Sequence, residues 1–252
     1  MRSLKPISFN PEGNRRVSSS SVNASKLAYQ TARRYASCRQ LVDNSKFSQS
    51  DINLLLAKQA SQAARAKNYL RAIALLSRLI ALEPKKAEHY NNRGLMHYAL
   101  HQTAQALADY DQAISINPRL DRAYNNRANL YATQHSWGDA ISDYDYAIDL
   151  NPLNVRARLN QAITFREIGD YEEALVCLDV AMAFQPGNAS LYAERGRTYH
   201  LYGDWNCAIA DYNTALHLQS ARSSSQQTLC PAQNDSLSNR VLKWLEALEP
   251  IA

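Results

Sequence analysis

Residues 90–98 read YNNRGLMHY, and residues 124–132, 34 positions later, read YNNRANLYA. Prolines recur at the same interval, at positions 84, 118, 152 and 186. A fixed period of this length is typical of a protein built from stacked repeats. With each proline at the thirty-second position, five repeats follow without insertion or deletion, at 53–86, 87–120, 121–154, 155–188 and 189–222.

Certain positions of the repeat, here named columns, barely vary. Column eight holds Ala or Gly in every repeat, and column twenty always holds Ala. Small residues allow two helices to approach closely, and large residues at column twenty-four, such as Tyr110 and Tyr144, fill the remaining gaps. Apolar residues in the second half of each repeat follow a helical period, and the proline ends that helix. The columns therefore predict two packed helices per repeat.

These columns resemble the tetratricopeptide repeat family, whose members have a period of 34 with small residues and a proline at the same columns. The resemblance implies an all-α fold, an α-solenoid of five helix–turn–helix tetratricopeptide repeats with flanking helices. It also implies that the first helices of the repeats line a concave surface. Two departures are Arg158, where an aromatic residue is expected, and Ser220, where the fifth repeat lacks its proline.

Column seven carries arginine in three repeats, and each of these repeats carries aspartate at column twenty-three. The repeats with Gln59 and Gln161 at column seven have Leu75 and Cys177 at column twenty-three instead. Because a half-buried guanidinium requires a carboxylate partner, we predict pairs that join the two helices of a repeat. The predicted structural pairs are Arg93–Asp109, Arg127–Asp143 and Arg195–Asp211.

Asparagines and arginines of the first helices form a candidate peptide-binding groove. In the family, columns two, five, six, nine and twelve face the concave surface, and column-six asparagines bind the backbone of an extended peptide, since an amide both donates and accepts. Arginines favour a partner segment with carboxylates, and the alternative is a solvated polar face. The predicted binding residues are Asn91, Asn92, Arg122, Asn125, Asn126, Asn129, Arg156 and Asn160. Further charged residues on these columns are Glu88, Arg166, Glu194 and Arg197.

The ends of the chain differ from the repeats in composition. Residues 1–40 carry eight Lys/Arg and one Glu, and the rest of the chain carries 20 basic and 22 acidic residues. We predict a disordered, basic, Ser-rich arm (1–24), a helical cap (25–52), a linker (223–236) and an amphipathic C-terminal helix (237–249). That last helix either folds back on the fifth repeat, as the cap that repeat arrays need, or docks into another protein.

The motifs that would indicate an enzyme are missing from the sequence. It has no HExxH, P-loop or GxSxG motif, and its six His and four Cys are scattered. We therefore expect no catalytic residue, cofactor or metal, and a non-catalytic scaffold or adaptor for one or more proteins. The near-neutral repeats disfavour nucleic acid as the partner, because nucleic-acid binding requires a basic surface.

The sequence also bears on location. No apolar run is long enough to span a membrane and no secretory signal is visible, so we expect a cytoplasmic protein. The alternative is that the basic arm directs the protein to an organelle, an anionic membrane or a nucleic acid, with the repeats as an assembly factor. Residues 1 to about 40 would then be a transit peptide to an organellar matrix or stroma.

Overall fold

The computed structural model describes residues 48–225 and 235–247, and in these ranges it contains eleven helices and no strand. The predicted all-α repeat fold is confirmed. The predicted N-terminal arm, most of the predicted cap and most of the predicted linker lie outside the described residues. The chain divides into two compact parts, 1–54 and 55–252, and only 48–54 of the first part is described.

The helices are named α1 to α11 in chain order. The first six are α1 (Gln49–Arg65), α2 (Tyr69–Leu82), α3 (Ala87–Ala99), α4 (Thr103–Ile116), α5 (Asp121–Thr133) and α6 (Trp137–Leu150). The others are α7 (Val155–Ile168), α8 (Tyr171–Phe184), α9 (Ala189–Tyr202), α10 (Trp205–Ser225) and α11 (Asp235–Glu246). Each predicted repeat therefore contains two helices. Within the described part of the chain, no helix is long and apolar enough to cross a membrane.

Helices pack within repeats and between consecutive repeats. The two helices of a repeat contact each other in the pairs α3–α4, α5–α6, α7–α8 and α9–α10. The second helix of each repeat also packs against the first helix of the next, from α2–α3 to α8–α9. In addition, α3, α5, α7 and α9 contact one another in sequence. The first helices therefore form a continuous wall, on which the predicted groove residues lie.

The invariant columns form the contacts between helices. Column-twenty alanines from Ala72 to Ala208 are fully buried, and Tyr110, Tyr144 and Tyr212 at column twenty-four are at most 1% exposed. A Cβ added to Gly94 would lie 2.7 Å from the ring of Tyr110. Column eight must therefore stay small, because the tyrosine ring occupies the space that a larger side chain would need.

The turn between the two helices of a repeat uses one residue with positive φ, always at column fifteen. This residue is Lys67, His101 or His135 in the first three repeats, with φ of 56–58°. Gly169 and Gly203 take the place in the last two, with φ of 101° and 96°. Left-handed backbone costs free energy for any residue with a Cβ, so the last two repeats have the more favourable turn.

The C-terminal helix α11 packs against both helices of the fifth repeat. It starts at Asp235 and ends at Glu246, whereas the sequence predicted 237–249, and α10 extends three residues beyond the predicted repeat boundary at 222. Val241 is fully buried, in a cluster with Ala193, Ala208, Tyr212 and Ala215. Helix α11 thus contacts the fifth repeat as the first helix of a sixth repeat would. Of the two predicted arrangements, the structure shows the helix folded back.

Candidate protein-binding clefts

Each column-seven arginine binds the aspartate of its own repeat through two hydrogen bonds. Arg93 donates from Nε and NH2 to the two carboxylate oxygens of Asp109, at 2.9 and 2.7 Å. Arg127 and Asp143 repeat this geometry at 2.7 and 2.9 Å, as do Arg195 and Asp211 at 2.7 and 2.8 Å. The hydrogen bond with Asp109 raises the pKa of Arg93 above its ordinary value. The aspartates are buried, so these are paired charges in a largely desolvated site.

The same arginines also reach the preceding repeat, which the sequence analysis did not predict. Their NH1 atoms donate to column twenty-five: Arg93 to Ser77 at 3.0 Å, Arg127 to Asp111 at 2.7 Å and Arg195 to Asp179 at 2.6 Å. We name this three-residue arrangement, which joins two repeats, a rung. The sequence held one sign of this contact. Column twenty-five carries Ser77, Asp111, Asp145 and Asp179 in the first four repeats, and all four side chains can accept a hydrogen bond.

The fourth repeat has a version of the rung without the charged pair inside the repeat. Gln161 replaces the arginine and donates to Asp145 of the preceding repeat at 2.7 Å. Its carbonyl lies 3.6 Å from the thiol of Cys177, which replaces the aspartate. Burial raises the pKa of this thiol to about 11, so Cys177 is uncharged near neutral pH. The contacts between repeats are kept while the charges within the repeat are lost.

The predicted groove asparagines are linked to one another. Asn160 donates to Asn125 at 3.1 Å, Asn125 to Asn126 at 3.3 Å and Asn126 to Asn91 at 2.9 Å. Asn91 in turn donates to Asn92 at 3.4 Å. This amide network runs through three consecutive repeats, and both bonds that cross a repeat boundary are donated to the preceding repeat. Hydrogen bonds in such a series strengthen one another, so the network holds the first helices together.

The network divides the predicted asparagines into two groups. Asn91 and Asn125 are 2% and 4% exposed, and both the donor and the acceptor of each amide are used within the protein. Asn92 and Asn160 are half-buried. Asn129 is also half-buried, and its oxygen accepts a hydrogen bond from the Tyr144 hydroxyl at 2.7 Å. The amides therefore join the repeats to a greater extent than the sequence indicated.

Two adjoining clefts open on the wall of first helices. The aromatic cleft, of about 440 Å³, is lined by Tyr98, Tyr110, Trp137 and Tyr144, with Asn129 and Asn160. The arginine cleft, of about 580 Å³, is lined by Arg122, Asn125, Leu153, Leu159 and Ser190. Leu95, Asn126 and Arg156 line both clefts, so the two adjoin. Six of the eight predicted binding residues line a cleft, and Asn91 and Asn92 do not.

The two cleft arginines differ from the rung arginines in having no carboxylate. Arg122 and Arg156 are exposed, and no ion pair within residues 48–225 and 235–247 involves either of them. The cleft carboxylates have partners: Asp121 accepts hydrogen bonds from Asn151 and Asn154, both at 2.9 Å. The other, Glu167, lies 3.9 Å from Arg166. Within the described residues, the clefts therefore offer two exposed arginines that are in no ion pair.

Arg166, which the sequence analysis placed among the concave-face charges, is not available to a ligand there. It is 6% exposed and donates to Glu194 at 2.9 Å. Arg197, also among those charges, lies over the ring of Trp244 in α11, 4.8 Å from its centroid. In the described ranges, no three His, Cys, Asp or Glu side chains are grouped to hold a metal ion.

Comparison with known proteins identifies the repeat and the fold. Family models described as tetratricopeptide repeat match residues 60–128 and 125–189, which together make up more than half of the chain. A crystal structure of MamA protein is similar, with 15% identity, a TM-score of 0.56, and coverage of 73% of this chain and 100% of that one. A structure of MamA from residue 41 to the end, from Desulfovibrio magneticus RS-1, has 14% identity, a TM-score of 0.58, and coverage of 68% and 97%. At these identities the likeness shows the fold alone. No curated protein matches the chain.

Proposed function

We propose that the chain, which belongs to the tetratricopeptide repeat family, is a non-catalytic scaffold that binds an extended acidic segment of a partner protein along its two clefts. The repeats by themselves indicate a protein-interaction scaffold. The observation that carries the finer proposal is the pair of exposed arginines, Arg122 and Arg156, which line the clefts and are in no ion pair within the described residues. Other arginines of the array, those of the rungs, are paired.

The clefts favour a particular order of side chains in the bound segment. Arg156 lines both clefts, so a carboxylate bound there has the aromatic cleft on one side and Arg122 on the other. Tyr98 and Trp137 offer apolar surface for one side chain, with the amide of Asn160 beside them. We expect an apolar residue followed or preceded by two acidic residues, since arginine binds carboxylates strongly where water is partly excluded.

The direct test is charge reversal in the clefts. Affinity capture with the full chain and with an Arg122→Glu/Arg156→Glu variant should identify a partner that only the original chain retains. The affinity for that partner should fall by at least about tenfold for each arginine, as expected for a charge-assisted hydrogen bond. Crosslinking of the captured partner should then map to residues that line the clefts.

A matched control removes the effect of net charge. Arg71 and Arg78 lie exposed on α2, outside both clefts, and an Arg71→Glu/Arg78→Glu variant changes the charge by the same amount. Equal retention of the partner by both double variants would contradict the proposal. Alanine substitution of Asn92, Asn126 and Asn160 is a less clear test, because it also breaks the amide network.

A further inference from the structure

Three buried polar atoms in the described part of the chain have no hydrogen-bond partner; two of them lie where α11 meets the fifth repeat, and the third belongs to Arg166 of α7, which binds Glu194 of that repeat. They are Arg166 Nε, Arg197 Nε and the hydroxyl oxygen of Tyr212. The ring centroids of Tyr212 and Trp244 lie 5.7 Å apart, and the guanidinium carbon of Arg197 lies 4.8 Å from the centroid of the Trp244 ring. Folded proteins leave few such groups unpaired, so a cluster of them needs an explanation. All three can donate a hydrogen bond, so a single kind of group, an acceptor, could satisfy each of them.

The same junction has an excess of positive charge. Arg166, Arg197 and Arg240 lie there with two carboxylates, those of Glu194 and Glu167. Glu194 is 7% exposed and accepts from Arg166 at 2.9 Å and from Arg240 at 3.4 Å. Glu167 lies 3.9 Å from Arg166. Within the described ranges, Arg197 is in no ion pair, and its positive charge is uncompensated.

Helix α11 fits this face mainly through its apolar residues, and one ion pair, between Arg240 and Glu194, adds to the contact. Val241 is fully buried, and Leu237, Trp244 and Leu245 pack around it. On its polar side, however, the helix brings Arg240 to a face that already holds Arg197, and both guanidinium groups lie over Trp244, at 5.3 and 4.8 Å. Like charges placed together oppose docking. The polar part of the face is therefore suited to an occupant of the opposite charge.

In the third repeat, the tyrosine hydroxyl at the same column has the hydrogen-bond acceptor that Tyr212 lacks. Tyr144 occupies the column of Tyr212, and its hydroxyl donates to Asn129 at column nine, at 2.7 Å. In the fifth repeat column nine is Arg197, which has donors and no acceptor. The Tyr212 hydroxyl thus faces a position from which no acceptor is offered. A carboxylate placed there would accept from both residues.

We propose that the face of the fifth repeat beneath α11 is a second partner-binding surface, which accepts a carboxylate of an acidic segment at Arg197 and Tyr212 and which α11 covers until that segment displaces it. The proposal rests on the proposed function only in assuming a protein partner with acidic residues. The two residues that would bind the carboxylate, Arg197 and Tyr212, line neither of the two clefts.

The test uses a fluorescein-labelled hexaglutamate peptide and fluorescence anisotropy. All proteins carry Arg122→Glu and Arg156→Glu, so that the clefts do not contribute and a failure here leaves the proposed function untouched. Val241→Ser weakens the docking of α11 without changing its charge, and hydrogen exchange of residues 235–246 reports the release. We expect roughly tenfold tighter binding, as for a site that is covered in about nine-tenths of molecules. Arg197→Gln should remove this gain. Unchanged affinity after Val241→Ser, or a gain that survives Arg197→Gln, would overturn the proposal.

A second variant acts in the opposite direction and keeps the fold intact. Tyr212→Phe deletes a hydroxyl that has no partner, so α11 should dock more firmly and its amides should exchange roughly fivefold more slowly. Tyr144→Phe is the matched control, because it deletes a hydroxyl that is bonded and should destabilise the third repeat. Faster exchange of α11 in Tyr212→Phe would show that the hydroxyl has a partner, and the proposal would fail.

Discussion

The third and fourth repeats differ in the rung that joins their helices. In the third repeat, Arg127 lies between Asp143 of its own repeat and Asp111 of the preceding one. In the fourth, Gln161 lies between Cys177 and Asp145 in the same arrangement. In both rungs, column twenty-five of the preceding repeat is aspartate, whereas columns seven and twenty-three of the repeat itself change together. The comparison shows that the buried carboxylate at column twenty-three occurs together with an arginine at column seven, whereas the exposed carboxylate at column twenty-five occurs with or without one.

The physical reason is the cost of an unpaired buried charge. Asp143 is 5% exposed, so it requires the guanidinium. Asp145 accepts a single hydrogen bond from Gln161 and remains exposed to solvent, which stabilises its charge. When column seven loses its positive charge, column twenty-three therefore has to lose its negative charge, and a thiol of similar size replaces it. The coupled changes visible in the sequence follow from this requirement.

The largest effect should come from breaking the charged rung. Arg127→Gln leaves Asp143 buried without a guanidinium, and the free energy of unfolding should fall by about 3 kcal/mol. Urea denaturation followed by circular dichroism measures this loss. Asp111→Asn is the control, since it removes the exposed partner of the same arginine and should cost less than about 1 kcal/mol. Equal losses in the two variants would contradict the distinction between buried and exposed partners.

A smaller effect is expected when the rung of the fourth repeat is transplanted into the third. Adding Asp143→Cys to Arg127→Gln gives the third repeat the residues of the fourth and leaves no buried unpaired charge, because Asp111 is exposed. The double variant should unfold within about 1 kcal/mol of the original protein, because the two changes compensate each other. A double variant that is as unstable as Arg127→Gln alone would show that the rung depends on more than charge pairing.

The two kinds of rung should also respond differently to alkaline pH. Burial raises the pKa of Cys177 from its ordinary value of 9.0 to about 11. The unfolded chain therefore releases this proton first, and the free energy of unfolding should fall as the pH rises through this window. Between about pH 8 and about pH 10.5, the original protein should lose more stability than Cys177→Ala. Equal losses in both proteins would rule out the thiol as the titrating group.

The smallest effect concerns the turns of the same two repeats. Gly169 has φ of 101° and His135 has φ of 58° at the same column. Gly169→Ala should lower the free energy of unfolding by about 1 kcal/mol, because a Cβ is unfavourable at positive φ. Gly138→Ala is the control, since its added Cβ meets no atom within 4 Å and its φ is not positive. Thermal unfolding of the two variants gives the comparison.

Contacts within one repeat could be predicted from the sequence, whereas those between repeats could not. Arg127 and Asp143 belong to the same repeat, and their joint presence or absence along the five repeats indicated the pair. The link to Asp111 crosses a repeat boundary, and Ser77 at that column in the first repeat weakens the pattern. Arg166 and Glu194, 28 residues apart, likewise occupy unrelated columns of different repeats.

The hydrogen bonds that the asparagines form between repeats could not be predicted from the sequence either. Asn126 binds Asn91 and Asn160 binds Asn125, so each bond joins column six of one repeat to column five of the preceding one. Comparison of identical columns does not show such diagonal contacts, and polarity alone did not distinguish a ligand-binding amide from a structural one. The left-handed turn was visible only as glycine in the last two repeats, since lysine and histidine hold the position elsewhere.

The amide network has a consequence for how partners are selected by size. It ends where column six changes to Lys58 in the first repeat and to Glu194 in the fifth, so the amides link the second, third and fourth repeats, in addition to the rungs. We expect this network to keep the spacing of the cleft side chains in these three repeats nearly constant. If a partner binds as proposed, its acidic residues would therefore need the right spacing as well as the right number.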